Sequence, residues 1–168
     1  MNYEITPQVG FGPIKFGMSS KEVRSILGQP TKISKSTINS MSDEDEKKYE
    51  ANHHSEWYGQ KYPDGSLPQV TYENDNVVLI TIFKQSGPLI FKGMDLHKVK
   101  NRQEILEMLA ATEEIYYSDD AEYFFPSSGL IVPIAKFAKR NFYIMLSLSS
   151  YMMPRLDYDM YEPSTALG

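Results

Sequence analysis

Cysteine is absent from all 168 residues. That excludes disulfides, thiolate metal sites and cysteine nucleophiles, and it is compatible with a cytosolic chain. Histidine occurs three times and tryptophan once, so imidazole chemistry has few places to arise. No apolar run approaches the roughly 20 residues of a membrane span. The start, MNYEITPQ, lacks the basic opening and apolar core of a signal peptide. The expectation is a cytoplasmic protein that does not bind membranes. Positive charge is also scarce: 17 Lys and Arg stand against 22 Asp and Glu, a net charge of −5. Phosphate neutralisation drives non-specific nucleic-acid binding, so no nucleic acid is expected as a partner. Lys136, Lys139 and Arg140 cluster locally but read as a solvated turn between strands. Aromatic residues, by contrast, are plentiful, with 12 Tyr and 8 Phe. That supply fits a β-rich chain and, for Tyr, a protein interface.

The best-specified stretch is Gly10–Pro30, GFGPIKFGMSSKEVRSILGQP. Ser19 and Glu22 have the spacing of a capping box, in which each side chain bonds the other's backbone N–H. Val23, Ile26 and Leu27 share one helical face, and Lys21, Arg24 and Ser25 take the other. Gly28 can close the helix and Pro30 prevents its restart. A helix of two to three turns is not stable alone and must dock on a sheet. Gly10, Gly12 and Gly17 do not match a phosphate-loop pattern, because no Lys-Ser/Thr pair follows them.

Strands are predicted at Tyr3–Thr6, from Thr31, at Ser55–Gln60, Gln69–Glu73, Val77–Lys84 and Leu89–Phe91. Val77–Lys84 is the most apolar and is expected at the centre of its sheet, with both faces covered. Residues 34–52 lose periodicity and read as a mobile acidic segment. A weak echo links Ile90-Phe91-Lys92-Gly93-Met94 to Ile14-Lys15-Phe16-Gly17-Met18. A second helix follows, capped by Asn101 and Glu104, with Ile105, Leu106, Met108 and Leu109 on its apolar face. Four more strands close the pattern: Glu114–Tyr117, Glu122–Phe125, Leu130–Pro133 and Phe142–Leu148. Residues 152–168 read as a loosely held tail. The predicted architecture is a single α+β domain over 1–168: a twisted antiparallel β-sheet, a meander, with two short helices packed on it.

Catalytic signals are sparse. His53 and His54 are adjacent, with Glu56 nearby, which suggests a metal-dependent hydrolase. Neighbouring strand positions point to opposite faces, however, and a catalytic metal needs about three protein ligands. His54 and Glu56 share a face only if their strand starts early. His97 has no local partner in sequence. Ser127-Ser128-Gly129 lacks a base nearby, and the carboxylate pairs Asp119-Asp120 and Asp157-x-Asp159 lie in a loop and a tail. No catalytic residue, metal or cofactor is expected. A small-ligand module, marked by a large apolar cavity, is a further alternative.

Phe16, Gly17, Met18, Ser19, Glu22, Val23, Leu27, Gly28 and Pro30 resemble a pattern found in small bacterial α+β proteins. These include outer-membrane assembly lipoproteins and immunity proteins of polymorphic-toxin and contact-dependent growth-inhibition systems. The lipoprotein group carries a signal peptide and a lipidated cysteine, and the sequence shows neither. The resemblance therefore implies an immunity protein, which binds and neutralises a cognate toxin domain, often a nuclease. The matching residues are structural and identify no contacts. Candidate contacts come from surface chemistry: Asp43, Glu44, Asp45, Glu46, Asp119, Asp120 and Glu122, with Tyr116, Tyr117 and Tyr123. Together they suit a toxin domain with a basic surface. For each, the plain alternative is a solvated loop or strand face.

Overall fold

In a computed structural model, the structure describes residues 4–35, 52–59, 68–83, 88–99, 102–118, 122–133, 143–156 and 162–163. Two short hairpin regions come before the two helices that follow them. The first is a three-stranded sheet of β1 (Ile5–Thr6), β2 (Gly10–Phe11) and β3 (Ile14–Lys15), leading to α1 (Ser20–Leu27). The second pairs β8 (Ile90–Phe91) with β9 (Met94–Asp95). A 3-10 turn at Leu96–Lys98 and α2 (Arg102–Ala110) come next.

Each helix is followed by four antiparallel strands. After α1 come β4 (Lys32–Lys35), β5 (His53–Trp57), β6 (Gln69–Glu73) and β7 (Asn76–Phe83). After α2 come β10 (Tyr116–Ser118), β11 (Glu122–Phe125), β12 (Leu130–Pro133) and β13 (Tyr143–Ser147). The two meanders meet at their last strands, where Ile82 faces Ile144 and Ile80 faces Leu146. With β14 (Glu162–Pro163) on one edge, they form one nine-stranded antiparallel sheet in the order β14-β10-β11-β12-β13-β7-β6-β5-β4. The expected α+β meander sheet is thus present, with β7 at its centre. It is built as two similar halves related across β7 and β13. The sequence echo does not mark equivalent local structure. Gly17 precedes α1 directly, whereas Lys92 and Gly93 turn a hairpin at positive φ.

Alternation along the strands divides the sheet into two faces. Val70, Tyr72, Ile80, Ile82, Leu130, Val132, Ile144 and Leu146 form one buried layer. Against it pack Val23 of α1 and Ile105, Leu106 and Leu109 of α2. A register shift between Thr71 and Tyr72 marks a bulge in the β6–β7 pair. On the opposite face, Phe124, Ile131 and Met152 form a second, smaller cluster. Met152 belongs to α3 (Ser149–Leu156), a third short helix where the sequence suggests a tail. Glu162–Pro163, also in that tail, pairs with β10. The tail expectation failed because few of its residues have helical periodicity. What holds its start is tertiary. The Gln8 side chain accepts from the Ser149 N–H at 2.9 Å and donates to the Pro126 carbonyl at 2.7 Å.

The capping box at α1 is formed as expected. Ser19 N–H donates to Glu22 Oε2 at 2.7 Å, and Glu22 N–H donates to Ser19 Oγ at 3.3 Å. The bonds from the Ser19 backbone and hydroxyl hold the Glu22 carboxyl below its ordinary range. Asp75, in the β6–β7 turn, adds a cap from outside the helix by accepting from Ser20 N–H at 3.1 Å. Asn74 and Asp75 both have positive φ, as a two-residue hairpin turn requires. Ser19→Ala should destabilise the protein by about 1 kcal/mol, because one helix donor loses its partner. A urea titration checks this, and an unchanged midpoint would show that Asp75 alone suffices.

Candidate functional site

Strand β5 begins at His53, two residues earlier than Ser55–Gln60 predicts. His54 and Glu56 therefore lie on the helix-packed face, while His53, Ser55 and Trp57 lie on the other. Glu56 is fully buried. Arg24 reaches it from α1, with Nε 3.0 Å from Oε1 and Nη2 on the same oxygen. Tyr58 and Tyr72 donate their hydroxyls to Oε2 at 2.5 and 3.2 Å. His54 Nε2 lies 3.6 Å from Oε1, and its ring stacks on Tyr72 with centroids 4.7 Å apart.

Burial alone would raise the Glu56 carboxyl, but the bonds from Arg24, Tyr58 and Tyr72 outweigh it and hold it below its ordinary range. Burial, and then the bond to Glu56, pushes the Tyr58 hydroxyl up. Both carboxylate oxygens are thus engaged, and the group acts as an anchor between α1 and β5. His53 does not join it. Its Nε2 faces Glu73 Oε1 at 3.1 Å and the Tyr151 hydroxyl at 3.4 Å on the far side of the sheet. The geometry divides His53, His54 and Glu56 between two faces. Among the described residues no group of three or more His, Asp or Glu side chains could hold a metal.

The far face carries a different feature. Helix α3 packs over Phe124 and Ile131, which lie on β11 and β12. Beside it a cleft of about 400 Å³ runs over β5, β6, β7 and β13. Ser55, Thr71 and Thr81 are buried there, and the Ser55 and Thr71 hydroxyls bond each other at 2.8 Å. Gln69, Leu79 and Met145 share the lining, with Trp57, Phe83, Tyr143 and Tyr151 as its aromatic members. Trp57 and Phe83 stack with centroids 5.7 Å apart, and Phe83 and Tyr143 lie 6.0 Å apart. None of these lining side chains is charged.

The candidate contacts read from sequence are scattered. Asp43, Glu44, Asp45, Glu46, Asp119 and Asp120 lie outside the described residues. Tyr116 is half-buried and packs with the Phe124 cluster, on the cleft side of the sheet. Tyr117 and Tyr123 pair across β10 and β11 with ring centroids 5.2 Å apart, and Tyr123 packs against the main core on the helix side. Glu122 is half-buried and pairs with Ser118. The three tyrosines therefore do not form one patch. The cleft residues were missed. Their one sequence signal is a hydroxyl at the middle of three strands otherwise rich in apolar residues.

No protein family, curated protein or solved structure matches this chain. Among the described residues, no helix is long and apolar enough to cross a membrane.

Proposed function

We propose that this chain is a cytoplasmic immunity protein that neutralises a cognate bacterial toxin domain by stoichiometric binding. The observation that carries this reading is the asymmetry of the sheet. One face is packed by α1 and α2, while the other bears a cleft of aromatic and hydroxyl-bearing side chains across four strands. Such a composition, rich in Tyr, Trp, Phe and Met and poor in charge at its centre, is that of an interface core. The resemblance at Phe16–Pro30 points to the same class. The excess of acidic residues, a net charge of −5, favours a basic partner and fast association. Catalysis plays no part in this reading.

Co-expression with the toxin domain encoded beside the gene tests it. Cells carrying the chain should survive toxin induction, and the two proteins should co-purify in equal amounts. Survival no better than with empty vector removes the proposal. A small-ligand module is the second reading, favoured by the volume of the same cleft, which lies within the range of about 300–1,000 Å³ typical of ligand sites.

A further inference from the structure

We infer that the cleft receives a single aromatic side chain with a polar edge, tyrosine or tryptophan, presented by the protein partner. This rests on the binding reading above and names the chemistry of the contact. Three features select the occupant. First, the cleft lining holds no charged side chain. An inserted Lys, Arg, Asp or Glu would lose its hydration without gaining a counter-charge, so a neutral group is favoured. Second, the walls are aromatic. Phe83 lies between Trp57 and Tyr143, and Tyr151 stands on α3. Offset and edge-to-face packing of one more ring adds about 0.5–1.5 kcal/mol beyond area burial. Third, the floor is polar. Thr71 and Thr81 are buried in mid-strand, where the helix-side layer has only Val, Ile and Leu at matching depth. With the Gln69 amide they offer bonds to the edge of a phenol or indole but nothing to an alkyl group.

The partner's charge is set by what surrounds the cleft. Glu73 is close to one end, beside His53 and Tyr151. Glu122 lies on the same face of the sheet, two residues from Phe124. Lys32 stands at the other end, with Nζ 5.8 Å from the Trp57 ring centroid. With a chain net charge of −5, a basic partner surface around a neutral aromatic anchor is the complementary arrangement.

The test titrates the full ¹⁵N-labelled chain with p-cresol, a mimic of the tyrosine side chain, and separately with cyclohexanol. Trp57 is the sole tryptophan, so 5-fluorotryptophan labelling supplies one ¹⁹F signal at the cleft. The expected result is saturable shifts at Ser55, Thr71, Thr81 and Met145, a moving ¹⁹F signal, and at least threefold weaker binding of cyclohexanol. Gln69→Leu should weaken p-cresol about fivefold, the effect of one lost hydrogen bond, with circular dichroism confirming the fold. Absent or scattered shifts, or equal binding of the two probes, overturn the inference. Because no toxin is needed, the two proposals fail separately. A protective chain whose cleft ignores p-cresol overturns this one. A p-cresol-binding chain that protects no cell overturns the immunity reading.

Discussion

Arg24→Ala is expected to lower the thermal midpoint at neutral pH by about 6–12 °C. The substitution leaves the Glu56 carboxylate, 0% exposed, without its cation. Breaking a buried pair from one side costs about 3–5 kcal/mol, and the lower end applies because the Arg24 side chain is 33% exposed. For a chain of this size each kcal/mol moves the midpoint by about 2–4 °C. Glu56→Gln in the same background should recover part of the loss, because it removes the orphaned charge while keeping a carbonyl for Tyr58 and Tyr72. A double variant less stable than Arg24→Ala alone would show that the charge is not what the arginine serves.

The pH dependence gives an independent check. In the native chain the Glu56 carboxyl is held below its ordinary value of 4.5. A depressed carboxyl contributes stability that is complete above that value and is lost as pH falls through the folded value. Asp75, held below 3.8 by its bonds from Ser20, contributes with the same sign. Native stability should therefore decline below about pH 4.5. In Arg24→Ala, burial raises the Glu56 carboxyl instead. Its contribution is then present in acid and lost as pH rises, so the gap between variant and native should narrow toward pH 4. Chemical denaturation at a series of pH values reads this directly, and a gap independent of pH would contradict it.

Gly129→Ala should destabilise the fold by about 4 kcal/mol. Gly129 has φ +77°, and a Cβ there would lie 2.2 Å from the Ser147 carbonyl oxygen. Strained φ costs about 1–3 kcal/mol, and displacing packed backbone costs about 1–3 more. The obstruction is backbone and cannot rotate away. The same carbonyl belongs to the strand that Gly129 supports, since Ser147 N–H donates to the Gly129 oxygen at 2.9 Å. Gly28→Ala is the control. It shares positive φ, +86°, but its added Cβ would meet nothing within 4 Å. Its cost should be about 1–2 kcal/mol, from conformation alone. Urea midpoints separate the two, and equal costs would mean that the approach to Ser147 is unimportant.

Local signals in the sequence determined local structure well. The Ser19–Glu22 box, the Gly28 stop, the Asn74–Asp75 turn and the apolar β7 all depend on neighbours within a few residues. Hydrophobic alternation then made the meander sheet and its helix-packed face predictable. The start of β5 was missed because His53 and His54 carry no strand preference. They are strand because β4 and β6 pair with them from either side. The helical α3 was missed for a similar reason, since Gln8, 141 residues away, holds its first N–H.

The sequence by itself determined the fold class, the capped helix and the residue types available for binding. Only the tertiary structure decided which of them meet. Glu56 reads as a possible ligand until Arg24, 32 residues away, is seen to reach it. Ser55, Thr71 and Thr81 read as unremarkable strand hydroxyls until strand register sets them side by side under Trp57 and Phe83. The physical reason is the same in each case. Capping and periodicity act over one or two turns of chain, whereas a charge pair or a cleft floor is assembled by strand pairing between residues whose separation along the chain carries no signal of their contact.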